Sequence, residues 1–174
     1  MARLQKEIYC KNALELAPLL IGKLLCRKIG NQTLKLRITE TECYLGKDDT
    51  ASHAHKGRTP RNEPMFEKGG ITYIYLCYGI HHLLNIVSGE KDSPEAVLIR
   101  GVEGYNGPGK LTKVLQITKN LNQIDLTKSK EIWLEDDGQT LCYTQSTRIG
   151  IDYASEEYRN KKWRFVVKNE PKRK

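Results

Sequence analysis

The sequence has no long apolar run and no pair of cysteines at the spacing of a metal site. Its five cysteines lie far apart along the chain and form no C-x-x-C pair, which excludes the common zinc-binding and thiol-redox motifs. No segment approaches the roughly 20 apolar residues that a membrane-spanning helix needs, and the pattern of a secretory signal is absent. We therefore expect an intracellular protein with free thiols and no membrane partner.

Acidic residues are scarce relative to basic ones. The chain has 29 Lys and Arg against 21 Asp and Glu, which gives a formal net charge of +8 and a pI near 9.2. Such an excess favours a polyanionic partner, although it also occurs as ordinary surface charge. With 174 residues, 39% of them hydrophobic, the chain can form one core. We expect a single domain over residues 1–174, with a frayed basic tail at 168–174.

The spacing of apolar residues predicts short helices among many strands. Alternation on both sides of a turn at Gly30 predicts a hairpin over 24–44. Helical spacing predicts a short helix in 12–25 that breaks at Pro18, and a second helix from Pro108 to Ile117. These elements predict an α+β fold with a mostly antiparallel, curved sheet. Further strands are predicted at 71–78, 81–87, 96–102, 132–135, 148–151 and 163–167.

Residues 45–70 form a predicted loop that is too long for a simple connection in a compact domain. Its Arg58 and Arg61 can hold phosphates through their guanidinium groups, or the loop can be only a solvated surface. His53 and His55, with two aspartates just upstream, also leave open a metal site for hydrolysis. No third ligand is forced close to these histidines by the spacing.

Two glutamates continue the apolar face of the strand that ends at Tyr44. An ionised carboxylate on a buried face needs compensation or serves a purpose, because burying it without a partner is costly. Burial would raise its pKa and suit it as a general base. The alternatives are a structural ion pair with a buried arginine and a bulge that turns one glutamate outward. Period-two alternation places on one face Leu34, Leu36, Ile38, Glu40, Glu42 and Tyr44.

Three tyrosines lie in the strand predicted at 71–78 or at its end. Tyr73 and Tyr75 share one face, and Tyr78 precedes Gly79 at the turn to the next strand. Aromatic rings at such a tip can stack on an unpaired base or fill the gap that the base leaves. The same residues can also form part of a sheet core or a cross-strand aromatic pair, and the sequence leaves both open.

Seven motifs follow one another along the chain: TETECYLG at 39–46, TPRN at 59–62, YIYLCYGIHHLLN at 73–85, AVLIR at 96–100, NGPGKL at 106–111, RIGIDYA at 148–154 and WRF at 163–165. With His53 between the first two, this set resembles the alkyladenine (3-methyladenine) DNA glycosylase family. The likeness covers nearly the whole chain from about Leu19 onward. Several motifs in order are far more specific than any single one.

The resemblance implies roles for individual residues. Glu42 matches the carboxylate that activates water, and Asn85 matches the residue that crowds the amino group of normal guanine. The pocket for the flipped base is implied to consist of Tyr44, His53, Tyr75, Asn85 and Leu98. Tyr78 matches the wedge that fills the vacated stack. Other contacts with DNA are expected from Ile80, Arg100, Arg58, Thr59, Arg61 and Lys110.

The activity implied by the resemblance is that of a monofunctional DNA glycosylase. Such an enzyme flips an alkylated or deaminated purine, such as 3-methyladenine, 7-methylguanine or hypoxanthine, and hydrolyses its N-glycosidic bond to start base excision repair. No lysine can be assigned as a nucleophile, so we expect no lyase step, and we expect neither a metal nor an organic cofactor. We expect a monomer acting on double-stranded DNA, in the cytoplasm at the nucleoid if the source is bacterial.

Two alternatives from other functional classes stay open. A module that binds single strands or RNA without catalysis would use the tyrosines and the basic loop and leave Glu42 structural. A metal-dependent hydrolase would use His53 and His55 with the nearby aspartates.

Overall fold

A computed structural model describes residues 1–168, so nearly all of the tail predicted at 168–174 lies outside the described residues. Within the described part, ten strands form one sheet and four short helices accompany it. The predicted α+β fold with an antiparallel sheet is confirmed. No helix in residues 1–168 is long and apolar enough to cross a membrane.

All strand pairings are antiparallel. The strands are β1 (Ala2–Arg3), β2 (Leu24–Ile29), β3 (Gln32–Leu45), β4 (Thr72–Cys77), β5 (His81–Val87), β6 (Glu95–Val102), β7 (Tyr105–Asn106), β8 (Ile132–Asp136), β9 (Tyr143–Ser146) and β10 (Arg164–Val167). Their spatial order is β1-β8-β2-β3-β6-β5-β4, with β7 beside β6, β10 beside β3 and β9 beside β10. The helices are α1 (Lys6–Tyr9), α2 (Ala13–Leu20), α3 (Pro108–Val114) and α4 (Glu156–Asn160), and 3-10 turns lie at Glu63–Phe66 and Lys119–Leu121.

The predicted helices are present with shifted ends. Helix α3 begins at Pro108 as predicted but ends at Val114, before Ile117. Helix α2 is capped by Asn12, whose side-chain oxygen accepts a hydrogen bond from the backbone N–H of Glu15 at 2.9 Å. Pro18 lies inside α2 rather than at its end. Its missing backbone donor falls near the C-terminal end of the helix, where the loss of one bond does not stop the chain from remaining helical.

The predicted hairpin is confirmed as β2 and β3, but the strand predicted at 148–151 is wrong. Strand β9 ends before this segment. The Arg148 side chain turns inward to the carboxylate of Asp49, and the N–H of Ile149 donates to the carboxylate of Glu42 instead of to a neighbouring strand. Side-chain acceptors therefore fix a segment whose alternation resembles that of a strand.

A β-bulge in β3 decides which side chains face the core. The register with β6 shifts between Ile38 and Glu40 and again between Glu40 and Thr41. Before the bulge, Ile38 faces the main core, and after it Cys43 does. A shift of one residue moves every later side chain to the other face of the sheet. The predicted common face for Leu34, Leu36, Ile38, Glu40, Glu42 and Tyr44 is therefore wrong, because the last three turn away from the main core.

The bulge fits against Gly101 of β6. A Cβ at this position would lie 3.1 Å from the Cβ of Glu40, which is closer than side-chain carbons normally approach. Glycine thus permits β6 to follow β3 through the bulge.

Two hydrophobic clusters cover opposite faces of the sheet. The main core packs α2 and α3 against one face, through residues such as Leu16, Leu111 and Val97. On the other face, Met65 and Phe66 from the long 45–70 segment pack against side chains of β4, β5 and β6. The 45–70 segment therefore covers part of the sheet face opposite the main core.

Candidate active site

One transverse row of paired residues crosses the sheet face opposite the main core. Glu42 of β3 is paired with Leu98 of β6. Leu98 is paired in turn with Asn85 of β5, and Asn85 with Tyr73 of β4. Paired residues of neighbouring strands project to the same side of a sheet, as do residues two positions apart. The row is therefore flanked on the same face by Tyr44, Arg100, Leu83 and Tyr75.

A cavity of about 730 Å³ opens on this face. Its size lies within the range of roughly 300–1,000 Å³ that small-molecule sites occupy. The cavity brings together every residue predicted for the base pocket and several predicted to meet DNA, although their roles remain predictions. The predicted residues that line it are Tyr44, His53, Tyr75, Asn85, Leu98, Tyr78, Arg61, Arg100 and Lys110.

Glu42 lies directly behind the cavity wall, and none of its surface is exposed (0%). Its Oε1 accepts a hydrogen bond from the N–H of Ile149 at 2.8 Å, and its Oε2 accepts one from the Tyr44 hydroxyl at 2.9 Å. Burial raises the pKa of Glu42, and this effect outweighs the lowering by the two donors and by Arg100. A carboxylate accepts roughly four hydrogen bonds, so lone pairs remain for a water molecule.

The second glutamate has a different environment. The Oε1 of Glu40 accepts from the Nε of Arg100 at 3.0 Å and from the Nη1 of Arg164 at 2.8 Å. The Nε of Arg100 lies farther, 3.7 Å, from the Oε1 of Glu42. Glu40 thus forms the structural ion pair that the sequence left open, whereas Glu42 is the buried carboxylate next to the cavity.

Three rings form one wall of the cavity. The ring centroids of His53 and Tyr75 are 4.4 Å apart, and the Nδ1 of His53 is 2.9 Å from the Tyr73 hydroxyl. The ring of His53 is open to the cavity, but the surrounding walls exclude enough water to lower its pKa to about 4, and the positive charge of Arg61 acts in the same direction. His53 is therefore neutral at physiological pH. The three rings of this wall, those of His53, Tyr73 and Tyr75, are therefore uncharged.

Tyr44 belongs to a different part of the cavity. Its ring packs with Ala51, Ile151 and Ala154, and the guanidinium of Arg148 lies 4.8 Å from its centroid. Asn85 is buried in the floor, where its side-chain nitrogen donates to the carbonyl of Tyr73 at 3.2 Å.

The tip of the β4–β5 hairpin carries two exposed apolar side chains beside the cavity. Tyr78 is 90% exposed and Ile80 is 70% exposed. The φ of Tyr78 is +51°, a backbone conformation that bulky residues rarely adopt, and Gly79 follows at +70°. Strain of this kind tends to persist at functional sites. The Tyr78 side chain is thus held away from the protein, and its role as a wedge stays a prediction.

The predicted phosphate contacts of the long segment are not all near the cavity. Arg61 lines it, and its guanidinium lies 5.5 Å from the ring centroid of Tyr75. Arg58 does not line it and instead pairs with Glu63 and Asp92. Thr59 also lies outside the lining. It forms hydrogen bonds with Asn62 through its N–H, its hydroxyl and its carbonyl, so it shapes the turn.

The structure does not assemble the metal site that the histidines left open. Within residues 1–168, no three His, Cys, Asp or Glu side chains form a group that could hold a metal ion. The Nδ1 of His55 is 2.6 Å from the carbonyl of Lys47, and Asp49 is buried in an ion pair with Arg148. These side chains therefore already have other partners. All five cysteines are free thiols, as predicted.

Sequence reasoning assigned no role to the segment 148–154, although its motif was recognised. The structure places Ile149, Ile151 and Tyr153 in the cavity lining. Ile149 also supplies a backbone donor to Glu42, and the Tyr153 hydroxyl donates to the carbonyl of Ala51 at 2.8 Å. The only signal was the motif itself, because backbone donors carry no side-chain signature.

Comparison with known proteins relates most of the chain to one family. Residues 7–105 and 104–171 match the family model described as methylpurine-DNA glycosylase. A protein of Psychrobacter cryohalolentis is 45% identical over an alignment of 184 residues that covers 87% of this chain and 85% of that protein. A protein of Borreliella afzelii is 41% identical over 180 residues (94% and 95% covered), and one of Clostridium botulinum is 40% identical over 194 (95% and 96%). All three carry the name "Putative 3-methyladenine DNA glycosylase".

Proposed function

The chain belongs to the methylpurine-DNA glycosylase family, and from this premise we propose that it is a monofunctional DNA glycosylase in which Glu42 activates the hydrolytic water. Its substrates are alkylated or deaminated purines of the 3-methyladenine, 7-methylguanine and hypoxanthine class, removed from duplex DNA to start base excision repair. Residues 1–174 act as one glycosylase unit, without a metal or organic cofactor.

The observation that carries this proposal is the position of Glu42 behind an aromatic cavity. A buried carboxylate with a raised pKa is a candidate general base. Three groups around it, those of Tyr44, Arg100 and Ile149, line the cavity. The carboxylate is therefore one layer of side chains from a bound base and its sugar. Because Glu42 is fully buried, a shift of Arg100 or of the Tyr44 hydroxyl must open the path for water.

The proposed reaction breaks the bond between the purine nitrogen and C1′ of the sugar. The electron pair of that bond leaves with the purine, and the sugar gains oxocarbenium character. Glu42 stabilises the developing positive charge and takes a proton from the water whose oxygen attacks C1′. A purine that carries positive charge after alkylation leaves as a neutral base, so the enzyme needs to supply less stabilisation. Hypoxanthine, which carries no charge, leaves as an anion and takes up a proton from solvent, so in both cases the products are a free base and an abasic strand.

The neutral aromatic wall supports the choice of a purine. His53 is held uncharged, and the rings of Tyr73 and Tyr75 lie beside it. Aromatic side chains stack on unpaired bases at roughly 1–3 kcal/mol per base. Asn85 in the floor is proposed to crowd the amino group of normal guanine.

Incubation with duplexes that contain hypoxanthine or 3-methyladenine tests this function. The proposal expects free base and an intact abasic strand, with equal rates in the presence and absence of a chelator. A strand break without alkali would indicate a lyase step, for which Lys110 and Lys113 are the lysines in the cavity lining. Binding without release would favour the non-catalytic module, and loss of activity with chelator would favour the hydrolase.

Replacing Lys110 with alanine is expected to flatten the dependence of DNA affinity on salt. Lys110 is exposed at the cavity rim on α3, and each phosphate that a protein cation neutralises contributes about 0.9 to the slope of log affinity against log salt. The slope measured for Lys110→Ala should therefore be smaller by roughly 0.9, on lesion and undamaged duplexes alike. Lys128→Ala is the control, because Lys128 is exposed and lies outside the cavity lining. Equal slopes for the parent and Lys110→Ala would remove Lys110 from the DNA contact.

A further inference from the structure

Asp49 and Arg148 form an ion pair whose side chains are completely buried. The Nη1 and Nη2 of Arg148 donate to the Oδ2 and Oδ1 of Asp49 at 2.6 and 2.9 Å. The carboxylate of Asp49 also accepts from the N–H groups of Leu45 and Ala51 at 3.1 and 3.0 Å. A buried pair is a poor source of stability, because desolvation of the charges offsets their attraction. Stability alone therefore does not account for this pair beside the site.

The guanidinium of Arg148 holds the two segments that surround Glu42. Its Nη1 donates to the carbonyl of Cys43, the residue that follows Glu42 in β3, at 3.0 Å. Ile149, the residue that follows Arg148, donates its N–H to Glu42. The guanidinium also lies against the ring of Tyr44, whose hydroxyl is the second donor to Glu42. One donor to Glu42 thus belongs to the residue that follows Arg148, and the other belongs to a ring that its guanidinium contacts.

We propose that the Asp49–Arg148 pair positions the Glu42 carboxylate for base release, so that Asp49 and Arg148 are positioning residues of the reaction. This inference rests on the proposed function. The pair fixes the segment 148–149 against β3 and thereby fixes the distance between the N–H of Ile149 and Glu42. A guanidinium suits this task because it is planar and donates in several fixed directions at once. Neither residue lines the cavity, so neither is expected to touch the base.

The proposal has a consequence for the pH dependence of base release. The N–H of Ile149 lowers the pKa of Glu42 against the larger effect of burial. When the segment 148–149 loses its anchor, this donor is weakened and the pKa of Glu42 rises further. The other charged or titratable groups that face Glu42 are Arg100 on β6, Glu40 and Tyr44 on β3, Tyr75 on β4, Arg164 on β10, and Tyr153. The thiol of Cys43 is close in the chain but lies on the opposite face of the sheet. None of these residues is replaced in the variants described next.

The test measures single-turnover base release from a hypoxanthine duplex at saturating enzyme, across a pH series. Asp49→Asn keeps the shape of the side chain and removes its charge. The double variant Asp49→Asn with Arg148→Gln removes both charges, so that no buried charge is left without a partner. The control is Asp137→Asn, which weakens another bidentate pair, with Arg37, outside the cavity lining. Thermal unfolding of each variant sets an assay temperature at which it is folded.

We expect the acid limb of the pH profile to move upward by about one pH unit in both pair variants, with a rate about tenfold lower on that limb. Binding of the lesion duplex and the profile of Asp137→Asn should match those of the parent. Pair variants that keep the parent's profile while the parent releases base would overturn the positioning role and leave the proposed function intact. A loss of rate with an unchanged acid limb, equal in Asp137→Asn, would show a structural role only. A parent that releases no base would end both proposals.

Discussion

Glu42→Gln is expected to lower single-turnover base release by on the order of 100-fold or more, because the amide cannot accept the proton of the attacking water. Binding of the lesion duplex should be retained, since Gln has nearly the same shape and its side-chain oxygen can still accept from the N–H of Ile149. The measurement is release of free base at saturating enzyme, together with a binding titration on the same duplex.

The fold should tolerate this change at neutral pH. The pKa of Glu42 is raised in the folded protein, so its contribution to stability is present below the ordinary glutamate pKa and is lost as the pH rises through the raised value. Gln mimics the protonated form and avoids this loss. We therefore expect the variant to be at least as stable as the parent near pH 7, and the difference to vanish in acid.

Glu95→Gln is the matched control for this variant. Glu95 is a partly buried carboxylate whose pKa is likewise raised by burial, and its Oε2 accepts from the N–H of Ala13 at 2.7 Å. It lies outside the cavity lining, so its replacement should leave base release unchanged. Near-parental release by Glu42→Gln would move the catalytic role to another residue.

Tyr78→Ser is expected to weaken binding of the lesion duplex and slow base release. A flipped base leaves a gap in the stack, and the exposed ring at the hairpin tip is proposed to fill it. Stacking of an aromatic side chain on a base contributes roughly 1–3 kcal/mol, so affinity should fall about 5- to 150-fold. Affinity for undamaged duplex, in which no gap forms, should change much less.

Tyr143→Ser separates this role from a general effect of removing a surface ring. Tyr143 is an exposed tyrosine on β9 and lies outside the cavity lining. Its replacement should leave both binding and release as in the parent. If Tyr78→Ser binds and cleaves like the parent, the wedge assignment is incorrect and the exposed tip has another use.

The sequence predicted most of the strands, the helices α2 and α3 and part of the cavity lining. It missed α1, α4 and the lining segment at 149–153, and it placed the glutamates on the wrong face. Alternation alone would place Glu42 on the same face of the sheet as Ile38. The bulge after Ile38 instead turns Glu42 to the opposite face. A bulge depends on how two strands pack against each other, here on the close approach of Gly101 to Glu40. The spacing of residues within one strand does not report on that packing, so it cannot predict the bulge. A bulge that turns one glutamate outward was an alternative that the sequence left open, but the sequence did not show which residues it would turn.

Ion pairs between distant parts of the chain also could not be predicted from the sequence. Arg58 pairs with Asp92, which lies 34 positions further along the chain, and its predicted phosphate contact stays a prediction. The partnership of Asp49 and Arg148 likewise joins residues that are far apart in the chain. Charge pairing at such separations depends on tertiary structure, so a sequence reveals the charges but not their partners.

The pH profile of base release tests the central claim, that the ionised carboxylate of Glu42 activates water, most directly. Single-turnover release from a hypoxanthine duplex is measured from the acid limit of folding to neutral pH. Because burial raises the pKa of Glu42, the rate should fall as the pH drops through a midpoint above the ordinary glutamate value of about 4.3. Glu95→Gln should show the same limb, and the residual rate of Glu42→Gln should lack it. A parental rate that stays constant down to the pH of unfolding would contradict the claim.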